Sequence, residues 1–164
     1  MTSYLTDKLL DNLKHLAKDA LVQIESYNYM ANFWMNWYLY IGILTTVLAS
    51  IASISVLSES LGKAPAAALT ASVAVLSAIT TFLNPADRSS QHKKAKDRFI
   101  AINIEARKVA FECSSADSDE ILQQVKEKVD VFSTRMIEAL QTSPQVPEWV
   151  SRIAEKRAER KFKF

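Results

Sequence analysis

Glycine is nearly missing from this chain, at two of 164 residues, where about 7% is usual. Hairpin turns and phosphate-cradling loops both consume glycine. The shortage therefore points away from all-β folds and from Gly-rich nucleotide loops. One cysteine cannot form an internal disulfide, a thiolate zinc site or a CxxC redox pair. Two histidines, His15 and His92, stand 77 positions apart and leave little for a histidine-based metal centre. No acid, base, nucleophile and ligand set assembles into an enzyme site by the usual checklist. No catalytic residue, cofactor or metal is expected.

Charge is the next absence, and it is local. Between Glu25 and Asp87 lie 61 residues whose only charges are Glu59 and Lys63, so 36 of the 38 charged side chains fall elsewhere. Residues 26–58 are an uncharged run of 33 and residues 64–86 a second run of 23. About 20 mostly apolar residues suffice to cross ~30 Å of hydrocarbon. The competing reading is a soluble bundle with two buried helices, but a core helix usually keeps one polar face. The expectation is a two-span hairpin: residues 34–57 as the first transmembrane helix, 58–64 as a short external loop, and 65–84 as the second. The second span is rich in Ala, Ser and Thr, gains little from lipid, and is expected to insert together with the first. Residues 1–33 form an amphipathic helix continuous with the first span, and 85–164 a helical region with a basic tail. Seven charges in the first 25 residues argue against a secretory signal peptide.

Orientation follows from the basic residues. Lys14, Lys18, Arg88, Lys93, Lys94, Lys96 and Arg98 flank the spans, against Lys63 alone in the loop. The positive-inside rule then places both termini in the cytoplasm. Tyr27, Tyr29, Phe33, Trp34, Trp37, Tyr38 and Tyr40 crowd the start of the first span, where rings with a wet polar tip favour the interface. The alternative for this cluster is a soluble aromatic core.

The polar segments read as helices. Leu9, Leu13, Leu16, Ala20, Ile24 and Tyr27 recur at helical steps, and no Gly or Pro interrupts residues 5–41. This predicts a helix running straight into the first span, a rod of about fifty residues or ~75 Å. Asn84-Pro85 reads as a junction, with Asn as cap and Pro in the first helical turn. Phe99, Ile102, Ala106 and Val109 form the next stripe, ending at a break over residues 113–116. Asp117 with Glu120 resembles a capping box, opening a stripe of Ile121, Val125, Val129, Phe132, Met136 and Leu140. Pro144 and Pro147 end it, and a short basic helix from about Glu148 closes the chain. Helices of this length do not bury their faces singly. They form either an intrachain bundle with added intersubunit contacts, the preferred reading, or a coiled coil between subunits.

On the first span Gly42, Thr46, Ala49, Ser50 and Ser53 share a face; on the second, Ala67, Thr70, Ala74, Ser77, Thr81 and Asn84 do. Lipid prefers the bulky sides, so these small and hydroxylated faces are expected to look inward. Gly42, Thr46, Ser50, Ser53, Thr70, Ala74, Ser77 and Thr81 are thus candidates for helix packing or, in an oligomer, for lining a water-filled path. No charged ring marks ion selectivity. The tail has six basic and two acidic residues after Val150. Arg157, Arg160, Lys161 and Lys163 are candidates for contact with anionic lipid, at about 1 kcal/mol each. No aromatic platform or groove-reading motif accompanies them, so nucleic acid is not the expected partner. Cys113, at a helix end, is no candidate nucleophile. It is expected to be cytoplasmic and reachable by maleimide only after lysis.

The hairpin followed by FLNPADRSSQHKKAKDRFIAINIEAR, and the later PQVPEW, resembles the SLATT domain family, the SMODS- and SLOG-associating two-transmembrane effector domain of bacteria. The matching positions are Pro85, His92, Lys93, Lys94 and Phe99, with Arg107 further along. The resemblance implies an all-α membrane protein of the bacterial inner membrane, a two-span helical hairpin with a cytoplasmic helical bundle, acting as a homo-oligomer. It implies a pore-forming effector of anti-phage or conflict systems, causing cell death or dormancy, with His92 and Arg107 as candidate coupling residues. His92 beside two lysines is a poor simple acid sensor, since neighbouring cations disfavour its charged form. The residues carry no nucleotide-binding or SLOG-like segment, so sensing is expected from a separately encoded nucleotide-signal or sensor protein or from the helical tail. The alternative function is a non-conducting membrane anchor or scaffold.

Overall fold

The structure is a computed structural model that describes residues 2–58, 63–114 and 119–162. It is all-helical, with no strand among the described residues. Helix α1 spans Thr2–Ser58, α2 Lys63–Leu83, α3 Pro85–Ser114, α4 Asp119–Thr142 and α5 Glu148–Lys161. The contacts divide it into two units: Met1–Met30 with Gln91–Phe164, and Ala31–Ser90.

The first unit is a bundle of the amino-terminal part of α1 with α3, α4 and α5. The α3 stripe is buried as its spacing predicts: Phe99, Ile102, Ala106 and Val109 are 0–5% exposed. In α1, Leu13, Ala20 and Tyr27 are buried, while Leu9, Leu16 and Ile24 pack at the edge of the core. In α4, Val125, Val129, Phe132 and Met136 are buried, but Leu140 is 43% exposed. Ala139 takes its place, and Leu122 precedes Val125. The steps are therefore 3, 4, 3, 4 and 3, an average near the helical 3.6. A run continuing at steps of four rotates off the core face within two turns. Intrachain packing thus accounts for the amphipathic stripes.

Ion pairs lie over this core. Arg135 meets Glu105, and Lys128 donates to Glu112 at 2.9 Å, both joining α4 to α3. The Lys128 ammonium holds the Glu112 carboxyl below its ordinary value. Lys161 pairs with Glu25 at 2.6 Å, joining α5 to α1. The two exposed pairs between α3 and α4 orient helices more than they stabilise them, whereas Glu25 of the third pair is itself buried.

Helix ends follow local chemistry. Asn84 adopts φ 42°, and its N–H donates to Thr80 O at 3.0 Å. Asn is one of the few non-glycine residues that tolerate the left-handed region. Asn84 thus closes α2 as its turn residue, and its carbonyl also accepts the Arg88 N–H at 3.2 Å, which puts it at the cap position of α3 as well. Pro85 begins α3, where its fixed φ suits the first turn. Arg88 Nε donates to Leu83 O at 2.9 Å, satisfying a carbonyl left open at the end of α2. The proposed capping box falls partly on Asp117, outside the described residues, and α4 begins at Asp119. Pro147 precedes α5 as expected.

Candidate functional site: the apolar hairpin and the helical bundle

The second unit contains the two long apolar helices. Both α1 and the α2 region hold an 18-residue stretch apolar enough to cross a membrane, and only 11% and 6% of these stretches is buried. A core helix of a soluble bundle would be mostly covered. Here Tyr40 is 72% exposed, Ile43 63%, Ile54 64%, Val75 58% and Phe82 87%.

The two helices meet along one line. In α1, Ile41 and Ala52 are buried and Thr45, Leu48 and Ala49 half-buried. In α2, Ala66 is buried and Leu69, Val73, Leu76, Thr80 and Leu83 are half-buried, again at alternating steps of three and four. That alternation is the seam of interlocking side chains typical of paired helices. The small faces were expected to look inward; within this hairpin they do not. Gly42, Thr46, Ser50, Ser53, Thr70, Ala74, Ser77 and Thr81 are all exposed, whereas Leu69 and Leu76, on the bulky side of α2, lie in the seam. Hydroxyl chemistry permits this. Thr46 donates to Gly42 O, Ser50 to Thr46 O, Ser53 to Ala49 O, Thr70 to Ala66 O and Thr81 to Ser77 O, at 2.8–3.0 Å. Each hydroxyl is satisfied one turn back in its own helix, so nothing pulls it into the seam.

Four of these eight, Gly42, Thr46, Ser77 and Thr81, are nevertheless brought together, while Ser50, Ser53, Thr70 and Ala74 are not. Gly42, Thr45 and Thr46 of α1 and Ser77, Thr80 and Thr81 of α2 line one flank groove of about 640 Å³. A Cβ placed on Gly42 would meet nothing within 4 Å. Glycine inside a helix costs about 1 kcal/mol relative to alanine, and no close approach among the described residues accounts for it.

The aromatic cluster separates into two environments. Tyr27 is buried in the bundle, stacked on Phe99 with centroids 5.4 Å apart and tilted against His92 at 5.9 Å. It is a core residue, a correction to its interfacial reading. Burial pushes its phenol above the ordinary value, partly offset by the Ser143 hydroxyl. Its hydroxyl donates to Pro144 O at 3.3 Å. Tyr29 meets Trp149 edge-on at 5.6 Å, and the Arg157 guanidinium lies 5.6 Å from its ring. Phe33, Trp34 and Trp37 form their own group, with Arg88 4.9 Å from the Trp34 ring. Ser89 Oγ donates to Ala31 O at 2.9 Å, a buried tie between α3 and α1 that the sequence did not suggest.

His92 is buried at 4% exposure, while Arg107 stands exposed on α3. In the tail, α5 buries Val150, Ala154 and Ala158 within the bundle. Lys161 pairs with Glu25 and the Arg157 guanidinium lies over the Tyr29 ring, yet both of these and Arg160 are exposed. Lys163 lies outside the described residues. Cys113 is fully buried, and burial raises its thiol above the ordinary value. Maleimide access after gentle lysis is therefore not expected from the native fold. Asn103 Nδ2 donates to Ala17 O at 2.7 Å, a further buried tie missed in the sequence. Among the described residues no three His, Cys, Asp or Glu side chains group to hold a metal. Compared with protein-family models, with curated proteins and with solved structures, the chain matches none.

Proposed function

We propose that residues 34–57 and 65–84 cross a bacterial inner membrane with both termini cytoplasmic, and that copies of the hairpin assemble through the groove flank to permeabilise that membrane. The observation that carries this reading is the exposure of the apolar helices. Twelve large apolar or aromatic side chains between Trp37 and Phe82 are uncovered. At roughly 1 kcal/mol for each half-exposed side chain, the hydrophobic cost in water is about 10 kcal/mol. That equals the whole stability of a typical domain, and acyl chains remove it.

Assembly is supported by Gly42 and the empty space over it, since small residues let neighbouring helices approach closely in lipid. The effector role, with death or dormancy as its outcome, is supported by the resemblance to the SLATT family. A separately encoded nucleotide-signal or sensor protein would then supply the trigger. The second reading is a non-conducting anchor or scaffold. It is favoured by the hydroxyls that already bond within their own helices, which need no water.

Reconstitution into vesicles holding a self-quenched dye separates the two. In the effector reading, leakage rises faster than linearly with the protein-to-lipid ratio. It is lost when Thr46, Ser77 and Thr81 are all changed to Leu. Tight vesicles at every ratio, with the protein shown to be inserted, refute conduction and leave the anchor.

A further inference from the structure

The bundle contains a second cavity, apart from the hairpin. It has a volume of about 350 Å³ and is lined by Gln91, Lys94 and Arg98 of α3 and by Thr142, Ser143 and Pro144 at the end of α4. Positions 91, 94 and 98 follow one another at helical steps on one face. Arg98 Nη1 donates to Thr142 Oγ1 at 2.9 Å, which fixes the guanidinium across the cavity. Among the described residues, neither Lys94 nor Arg98 has a carboxylate within ion-pair distance. The Ser143 hydroxyl is buried without a hydrogen bond of ordinary geometry, although the Tyr27 phenol lies close enough to feel it.

A structural role accounts for only part of this. The carboxyl end of α4 carries partial negative charge and has no basic residue in its own last turn. Arg98 supplies that neutralisation from α3. Lys94 has no such task, and a second cation beside the first costs repulsion unless an anion shares the pair. Two cations, an amide and the Ser143 hydroxyl around one volume form the donor set that phosphate oxygens use, with arginine binding in a fork and lysine as a point charge. The Thr142 hydroxyl already donates to Glu138 O at 2.8 Å and serves to hold Arg98.

We propose that this cavity binds a phosphate group, held by Lys94 and Arg98 and completed by Gln91 and Ser143, with Thr142 keeping the Arg98 guanidinium in place. The phosphate belongs either to a soluble phosphorylated molecule or to a lipid headgroup. Its binding ties α3 to the segment between α4 and α5, which Tyr27 of α1 already grips through Pro144. The site stands on the bundle alone and holds whether or not the hairpin conducts.

The test uses the full chain. In detergent micelles, inorganic pyrophosphate is titrated at constant ionic strength against chloride, with calorimetry and amide exchange over residues 142–146 as readouts. In a second arm, the protein sits in phosphatidylcholine nanodiscs with and without phosphatidic acid, and the same exchange is followed. Saturable binding and slowed exchange with pyrophosphate assign a soluble source; slowing with phosphatidic acid alone assigns a headgroup. In either arm Lys94→Gln and Arg98→Gln each weaken the effect about tenfold, the scale of one charge-assisted hydrogen bond. Lys93→Gln, an exposed neighbour outside the cavity, leaves it unchanged. Among the described residues Lys94 makes no ion pair or hydrogen bond, so Lys94→Gln stays informative even if Arg98→Gln loosens the bundle. No saturable response in either arm overturns the proposal, as does an equal loss in all three variants or an unaltered response in Lys94→Gln.

Discussion

Val75→Arg distinguishes lipid from water around the hairpin. Val75 lies near the centre of residues 65–84 and is 58% exposed, outside both the seam and the groove. If water surrounds α2, an arginine there removes no contact of consequence, and exposed substitutions of that kind stay within about 0.5 kcal/mol. If acyl chains surround it, the exchange costs about 3 kcal/mol on insertion scales. At 1.4 kcal/mol per decade this is roughly a 150-fold shift in the insertion equilibrium. The second span is the vulnerable one, because its Ala, Ser and Thr content leaves little margin. A carboxyl-terminal alkaline phosphatase fusion, active only outside the cytoplasm, reads the result. The parent fusion should be inactive, and Val75→Arg should gain activity as α2 fails to insert and the bundle follows it outward. The paired control, Thr134→Arg on the exposed side of α4, should change nothing. A Val75→Arg protein that purifies without detergent, with an unchanged thermal midpoint, would refute the membrane reading.

Three further outcomes follow from the bundle. Phe99→Ala removes a fully buried ring stacked on Tyr27, and denaturant unfolding should show a loss of about 3–5 kcal/mol; a loss below 1 kcal/mol would mean that the ring is not packed as described. Alkaline pH should destabilise the bundle. Burial holds the Cys113 thiol above its ordinary 9.0 and the Tyr27 phenol above its ordinary 10.0, so the unfolded chain ionises first. Their contribution is complete below about pH 9 and is lost as pH climbs through the folded values. In Cys113→Ala the fall in thermal midpoint should begin at higher pH, and an identical profile would contradict the assignment. Finally, maleimide should leave Cys113 unlabelled in gently lysed cells and modify it once denaturant is added; rapid native labelling would show that the α3 core opens.

Much of the helical organisation was legible without coordinates. The stripe from Phe99 to Val109 and that from Val125 to Met136 are set by spacing, which translates directly into one helix face. Leu140 misled because a hydrophobic residue one position off the 3.6 period looks equivalent in a list and sits 100° away on a helix. Asn84 was visible as a junction, yet its left-handed backbone was not, since Asn serves both cap and turn. The groove's hydroxyls were identified by type and spacing. Their exposure was not foreseen, because i−4 hydrogen bonds remove the need for a partner and sequence does not show that they form.

Composition and periodicity alone determined that this chain is helical, that two of its stretches are apolar enough for a membrane, and which faces of α3 and α4 form a core. These are local properties, fixed by 3.6 residues per turn and by where charges are absent. Only the tertiary structure decided which sides of α1 and α2 meet, that Tyr27 and Cys113 are buried, and that Lys94 and Arg98 face Thr142 across a cavity. Each of these depends on the rotation of one helix about its axis relative to another. That rotation is chosen by the sum of many small contacts between residues far apart in the chain.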